Sequence, residues 1–201
     1  MPQFKYIVEH LEEGLSEWVQ LEYSNMIKQV GKGNLILANM TPATIELVPQ
    51  HIREGAVCTQ ETALKYAGGI EKVLLLDPSA TQELGPEDGK PEAGFEYLLF
   101  GGILGDDPPR DRTKELRVQG FAGRHLGNYQ MTTDTAVLVS RRVVEGGFKL
   151  SELTFVDKPD LQLDLHQSVE MPFRYLVEDG KPVLPAGFLD LLRKTNNDSL
   201  F

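Results

Sequence analysis

The sequence predicts an α/β fold with a mainly parallel sheet flanked by helices. Three observations carry this. Short apolar runs alternate with helical patterns through the first two thirds of the chain. Runs such as VLLL (73–76) and YLLF (97–100) are apolar without interruption, as strands covered on both faces must be. Glycine- and proline-rich loops follow those runs directly, at strand carboxyl ends, where open α/β sheets bind ligands.

The elements follow in order. FKYIVEH (4–10) is rich in aromatic and β-branched residues and reads as the first strand. A helix over 16–31 has Ser16 as N-cap, Glu17 in its first turn and Gly31 as C-terminal cap. Trp18, Met26, Ile27 and Val30 fall on or near one of its faces. NLILANM (34–40) is a second strand, ended by TPAT, and TQETALKYAGG (59–69) a short helix opened by Thr59 and closed by Gly68. EKVLLLDPSA (71–80) is a strand that stops at Asp77-Pro78, PEDGKPEAG (86–94) a turn-rich surface loop, and FEYLLFGG (95–102) another strand. The segment 132–147 is open to two readings: Thr132 or Thr133 and Gly146 suit the ends of a helix, while its β-branched run allows a strand. LTFVD (153–157) is a strand, MPFRYLVEDGKPVLP (171–185) a hairpin turning at Asp179-Gly180, and GFLDLLRK (187–194) a last helix before a frayed tail. With no internal repeat, low-complexity segment or linker, one domain is expected over 1–201, with 165–201 as a hairpin and helix extension.

The chain has 201 residues, 41% of them apolar, which supports a real core. Its net charge is −10. Nucleic-acid affinity comes from Lys and Arg on phosphates, so no direct nucleic-acid partner is expected and a basic partner is favoured. The single cysteine, Cys58, excludes an internal disulfide and a cysteine-based metal site. His10, His51, His125 and His166 are scattered without ligand spacing, so no metal is expected. The N-terminus lacks a long apolar stretch, and the longest apolar runs fall far short of the ~20 residues that span a bilayer. A reducing, cytoplasmic setting away from membranes is the expectation.

Three loops could carry chemistry. FGGILGDDPPRDRT (100–113) is neither a dinucleotide fingerprint nor a P-loop, because prolines follow its glycines. Its glycines let a ligand approach the backbone, where amides and carbonyls can read a flat heterocycle. LGNYQMTTDTA (126–136) and DPSA (77–80) are the second and third. Each taken alone also fits an ordinary turn or strand–helix junction.

Together the three resemble the cofactor loops of the SPOUT methyltransferase superfamily, and LGNYQMTTDT is similar to its segment leading into the knotted helix. Thr132 and Thr133 stand where that segment carries a glycine pair. The strings KYIVEHLEEGLSEWVQLEYSNM, GDDPPRDRTKEL, QMTTDTA and EMPFRYLVEDGKPVLPAG most resemble the fungal SPOUT protein arginine methyltransferases, nearly end to end. The resemblance implies a deep C-terminal trefoil knot, a helix at 133–145 and S-adenosylmethionine as cofactor. It also implies a monomer that methylates an arginine of a small-subunit ribosomal protein, a basic protein substrate. Cofactor contacts are then expected from Leu76, Pro78, Phe100, Gly101, Gly102, Gly105, Leu126, Gly127, Tyr129, Gln130 and Met131.

Arginine methylation needs carboxylates. A guanidinium is protonated at neutral pH and nucleophilic only as it gives up a proton, and a carboxylate holds its planar fork bidentately. Asp106, directly after the glycine loop, is the first candidate for the catalytic acid–base group. Asp134 is the second, although an acid at a helix start is also favoured by the macrodipole. Glu12, Glu13, Asp107, Arg110 and Glu170 are candidates for holding the substrate. Arg110 is open to a role in an internal ion-pair lattice with Asp107, Asp111 and Arg112, or to a contact with the cofactor carboxylate.

Overall fold

The computed structural model describes residues 4–11, 14–102 and 113–198. Its centre is a six-stranded, wholly parallel sheet: β1 (Lys5–Glu9), β2 (Leu35–Ala38), β3 (Ala56–Cys58), β4 (Val73–Leu76), β5 (Tyr97–Phe100) and β6 (Ala122–Arg124). The spatial order is β3-β2-β1-β5-β4-β6. β1 pairs on one side with β2 (Tyr6 opposite Leu35) and on the other with β5 (Tyr6 opposite Leu98).

The uninterrupted apolar runs have a simple cause. Successive strand side chains point to opposite faces, and both faces are covered. Tyr6, Val8, Leu35, Leu37, Leu74, Leu76, Leu98 and Phe100 face one core, which holds Val19, Tyr23 and Met26 of α1 (Glu17–Val30) and Val137, Val139 and Val143 of a helix at Thr133–Val144. Ile7, Ile36, Val73, Leu75 and Leu99 face a second core with Ala63, Ala67, Leu116 and Phe121. Fully burying such a side chain contributes about 1.5–3 kcal/mol.

α1 forms as its termini dictate. Ser16 Oγ accepts from the Val19 amide at 3.2 Å, and Gly31, at φ +86°, donates to the Ile27 carbonyl. After β2 come two helices that the sequence reading passed over, α2 (Pro42–Leu47) and α3 (Gln50–Arg53). Thr41 Oγ1 caps α2 by accepting from the Thr44 amide, and Pro42 opens it, so TPAT starts a helix rather than merely ending a strand. α4 (Ala63–Ala67) is capped by Thr62, not by the expected Thr59, whose hydroxyl accepts from the Glu61 amide instead. The short strands β3 and β6 and the helix α5 (Lys114–Arg117) were also unexpected.

The segment 133–144 is a helix, α6 (Thr133–Val144), and most of its circumference is buried. That is why its sequence lacks a polar stripe and allowed a strand reading. The expected surface loop at 86–94 is a correction. Asp88 and Gly89 are buried, and Gly89 packs so tightly against the end of α6 that a Cβ there would lie 2.0 Å from the Val144 carbonyl oxygen.

The remainder is antiparallel. β7 (Phe155–Asp157) pairs with β10 (Arg174–Glu178), which turns at Asp179-Gly180 into β11 (Lys181–Pro182). Both turn residues have positive φ (50° and 74°), the geometry a two-residue hairpin prefers. Between β7 and β10, β8 (Asp160–Gln162) and β9 (Ser168–Glu170) form a separate hairpin. The last helix, α7 (Phe188–Asp198), places Phe188 edge-on against Trp18, with ring centroids 4.8 Å apart. No described helix is long and apolar enough to cross a membrane.

Candidate active site

Strands β5, β4 and β6 are neighbours, so the loops after all three meet at one edge of the sheet, beside the start of α6. They enclose a cavity of about 470 Å³. The first wall is Leu76, Asp77, Pro78 and Ser79; the second is Phe100, Gly101 and Gly102; the third is Arg124 and the run Leu126–Met131. Thr113, Thr133 and Ala136 close it.

Leu76, Pro78, Phe100, Gly101, Gly102, Leu126, Gly127, Tyr129, Gln130 and Met131, named from the sequence, are all on these walls. Gly105, Asp106, Asp107, Arg110, Glu12 and Glu13 lie outside the described residues. Glu170 ends β9 and is exposed, off the cavity wall. Asp77, Ser79, Thr113, Arg124, Asn128, Thr133 and Ala136 line the cavity but were not named as site residues. Asp77 had a readable signal, since it opens the DPSA loop. Arg124 had none until β6 is known to run beside β4.

The walls are held by charged anchors. Burial pushes the Asp77 carboxyl up, but the Arg117 guanidinium, the Ser79 amide and the Thr113 hydroxyl overcome it and hold it below the usual carboxylate value. The buried Asp88 takes the Arg124 guanidinium at 2.8 Å and accepts from the Gly85 amide at 3.0 Å. This pair ties the end of β6 to the loop beneath α6. On the third wall the Gly127 amide donates to His125 Nδ1 at 3.0 Å, with Gly127 at φ +92°.

The same wall is braced by β10. The Arg174 amide donates to the Gln130 carbonyl at 2.8 Å, and Met131 forms a parallel bridge with Arg174. The Arg174 guanidinium lies 3.9 Å over the Tyr129 ring, and its other edge is held by Asp157. Tyr129, 57% exposed, thus presents a supported aromatic face at the cavity.

Asp134 is a different case. It is buried behind the wall, not on it. Asn25 Nδ2 donates to its Oδ2 at 2.6 Å, and its own amide donates to Glu22 Oε2 at 3.1 Å. Glu22 therefore satisfies a free amide at the start of α6 that no side chain of α6 caps. The geometry assigns Asp134 to fastening α6 onto α1 and does not bring its carboxyl to the cavity.

Burial raises the Asp134 pKa above the usual carboxylate value. The folded state then holds the proton more tightly than the unfolded state. Its stabilising contribution is complete below the unfolded value, 3.8, and is lost as pH rises through the folded value. Asp134→Asn should therefore gain stability relative to the parent as pH rises from 4 to 7. Thermal unfolding at both pH values checks this: an unchanged difference would mean that the carboxyl does not titrate with folding.

Among the described residues, no group of three or more His, Cys, Asp or Glu could hold a metal. The cavity instead offers backbone groups on three sides, one aromatic face and apolar floor residues, the lining a flat heterocycle needs.

The comparisons agree with this geometry. The chain matches the SFM1-like family, described as protein arginine N-methyltransferase SFM1-like, over residues 5–199. It is 42% identical to protein arginine N-methyltransferase SFM1 of Saccharomyces cerevisiae, covering 98% of this chain and 97% of that one. The crystal structure of the yeast arginine methyltransferase SFM1 complexed with SAM superposes with TM-score 0.87 at 41% identity, covering 96% of this chain and 92% of that one. The dual specific Trm10 of Thermococcus kodakaraensis shares the fold alone: TM-score 0.50, 16% identity, 74% of this chain and 96% of that one.

Proposed function

Since the chain belongs to the SFM1-like protein arginine N-methyltransferases, we propose that it uses the cavity at the ends of β4, β5 and β6 to methylate an arginine of a small-subunit ribosomal protein. The observation that carries the site is the meeting of three predicted loops on one cavity, in a chain whose relative is complexed with SAM in the corresponding fold.

The residues present fit S-adenosylmethionine. Glycines 101 and 102 leave backbone open to the ligand, and Gln130 Nε2 is buried on the wall with no hydrogen-bond partner among the described residues. That donor is available to a ligand acceptor, and leaving it unmade would cost about 1–3 kcal/mol. When bound, the cofactor supplies an electrophilic methyl carbon on a sulfonium. The chain's own work is to hold a guanidinium in line with that carbon and to take its proton. Asp106 is assigned to both tasks, and Glu12, Glu13, Asp107 and Glu170 to the approach of a basic chain. Positioning alone can supply up to about 7–11 kcal/mol.

The net charge of −10 favours a basic protein over a nucleic acid. The chain's own β10 covers the third wall, which supports a monomer that needs no partner residue there. The proposal places the enzyme in the cytoplasm, where small-subunit proteins are reached. Incubation with labelled S-adenosylmethionine and purified small ribosomal subunits tests it. Label is expected on an arginine of one subunit protein; label on ribosomal RNA alone would overturn the reading.

The brace on Tyr129 gives a second expectation. Arg174→Ala removes a cation–π contact of about 0.5–2 kcal/mol and frees the third wall. Cofactor binding should weaken by about 2–30-fold, with turnover at saturating cofactor much less affected. Calorimetric titration together with steady-state kinetics separates the two.

A further inference from the structure

We propose that the open edge of β7 is the docking strand for an extended, basic segment of the protein substrate, which adds to the sheet beside β7 and brings its arginine to the cavity. This rests on the reading that the cavity holds the cofactor and that the substrate is a small-subunit ribosomal protein.

β7 carries an unused row of backbone groups. The three-stranded sheet runs β11-β10-β7, so β7 has one neighbour and one open flank. Its pairing with β10 sets Val156 opposite Tyr175 and Asp157 opposite Arg174. On either side, the Val177 amide donates to the Thr154 carbonyl at 2.8 Å, and the Lys158 amide donates to the Phe173 carbonyl at 3.0 Å. These two bonds fix the phase of the ladder. Thr154, Val156 and Lys158 turn their backbone toward β10, while Phe155 and Asp157, between them, turn theirs away. Among the described residues, the amides and carbonyls of Phe155 and Asp157 have no hydrogen-bond partner. Edge groups of this kind template an added strand, and many domains take up extended peptides in this way.

The edge lies beside the site. Phe155, Asp157 and Arg174 share one face of the small sheet. The Arg174 guanidinium lies 5.0 Å over the Phe155 ring and 3.9 Å over the ring of Tyr129, a residue of the cavity wall. One side chain thus separates the edge strand from the third wall. A strand advances about 3.3 Å per residue. An arginine two or three residues beyond the paired stretch is therefore carried about 7–10 Å along, enough to pass the width of that side chain.

Charge selects the occupant. Residues 150–162 hold Glu152, Asp157 and Asp160 against Lys158 alone. In the adjoining hairpin the exposed Asp160 and Glu170 stand directly opposite each other, a like-charge pair that opposes its own pairing and that a cationic segment relieves. A second copy of this chain, with net charge −10, would bring the same acids into contact. The edge is also short. Lys158 turns the chain at φ +47°, and Pro159 has no amide to offer. It admits one short segment and offers little for continued sheet growth.

The test uses the full chain with labelled S-adenosylmethionine and the extracted proteins of the small ribosomal subunit. Phe155→Pro replaces an outward amide that β10 does not use with a ring that blocks an added strand. Phe155→Leu keeps that amide and changes only the side chain. Losing one hydrogen bond corresponds to about 2–12-fold, and the ring adds to it. The expected result is a KM for the protein substrate raised about tenfold or more in Phe155→Pro and within about threefold of the parent in Phe155→Leu. In both variants kcat and S-adenosylhomocysteine affinity should stay within about threefold. In the parent, hydrogen exchange at the Phe155 and Asp157 amides should slow when the substrate proteins are added. If Phe155→Pro fails to fold, and so binds no S-adenosylhomocysteine, the exchange measurement on the parent decides alone.

A KM in Phe155→Pro no higher than in Phe155→Leu overturns the proposal, as does exchange at the two amides that the substrate leaves unchanged. So does slowing of the same amides by self-association of the chain alone, read by sedimentation at rising concentration. A parent that labels none of these proteins would instead overturn the substrate reading on which the docking strand depends.

Discussion

Asp106→Asn is expected to lower turnover by about 10²–10⁴-fold, the range a positioned proton acceptor contributes, while leaving cofactor dissociation within about threefold. A guanidinium with pKa above about 12 cannot attack a methyl carbon without shedding a proton. Asparagine keeps the size and one acceptor oxygen of aspartate, yet it neither neutralises the cation nor takes the proton. Asp106 follows Gly102 by four residues, and a chain of that length reaches at most about 14 Å. Asp134→Asn is the informative contrast, because that carboxyl lies behind the wall, fastened to Asn25. Steady-state turnover and calorimetric binding on both variants decide the matter. Equal losses in turnover and binding would move Asp106 to a cofactor-binding role, and parent-like turnover would remove it from the chemistry.

Gly89→Ala is expected to cost about 3 kcal/mol of stability, the upper range for overpacking a core. The added methyl would sit 2.0 Å from the Val144 carbonyl oxygen, 2.7 Å from its carbon and 2.8 Å from its Cα. None of these is the movable end of a side chain, so either the 86–89 turn or α6 itself must shift. For a chain of 201 residues that loss lowers Tm by about 6–12 °C. Because α6 begins at the cavity with Thr133 and Ala136, a displaced helix should also weaken cofactor binding. A parent-like melting curve would show that the turn gives way freely.

Much of the fold was legible where local chemistry and tertiary demand agree. α1 carries its own cap and stop in Ser16 and Gly31, and β4 and β5 are marked by burial on both faces. β3 and β6 were not, since AVC and AGR are three-residue strands whose pairing comes from their neighbours rather than their own residues. Thr59 and Thr62 both stand before the same helix, and local sequence does not distinguish the cap, Thr62, from its neighbour. Asp88-Gly89 reads as a turn in any sequence; only the packing of α6 makes it interior. In the site, the three loops could be read because glycine, proline and strand ends are local signals. Asp77 as an anchor, Arg124 on Asp88, and Arg174 beneath Tyr129 could not, because each joins residues 36 to 45 positions apart.

The place of β1 in the sheet bears on how the protein is made. β1 emerges before all its partners in the sheet yet is an interior strand, and its second neighbour is β5, with Val8 opposite Phe100. At about 5–20 residues per second, Phe100 follows Val8 by roughly 5–20 s. Until then the β1–β3 half of the sheet has one long open flank, an edge that invites pairing with another chain. Only after β5 slots in beside β1, and β4 and β6 take their places beyond it, does the edge that carries the three loops exist. A sheet closed by such distant partners folds slowly for its size. The edge that carries the three loops therefore depends on β5, β4 and β6 having joined β1.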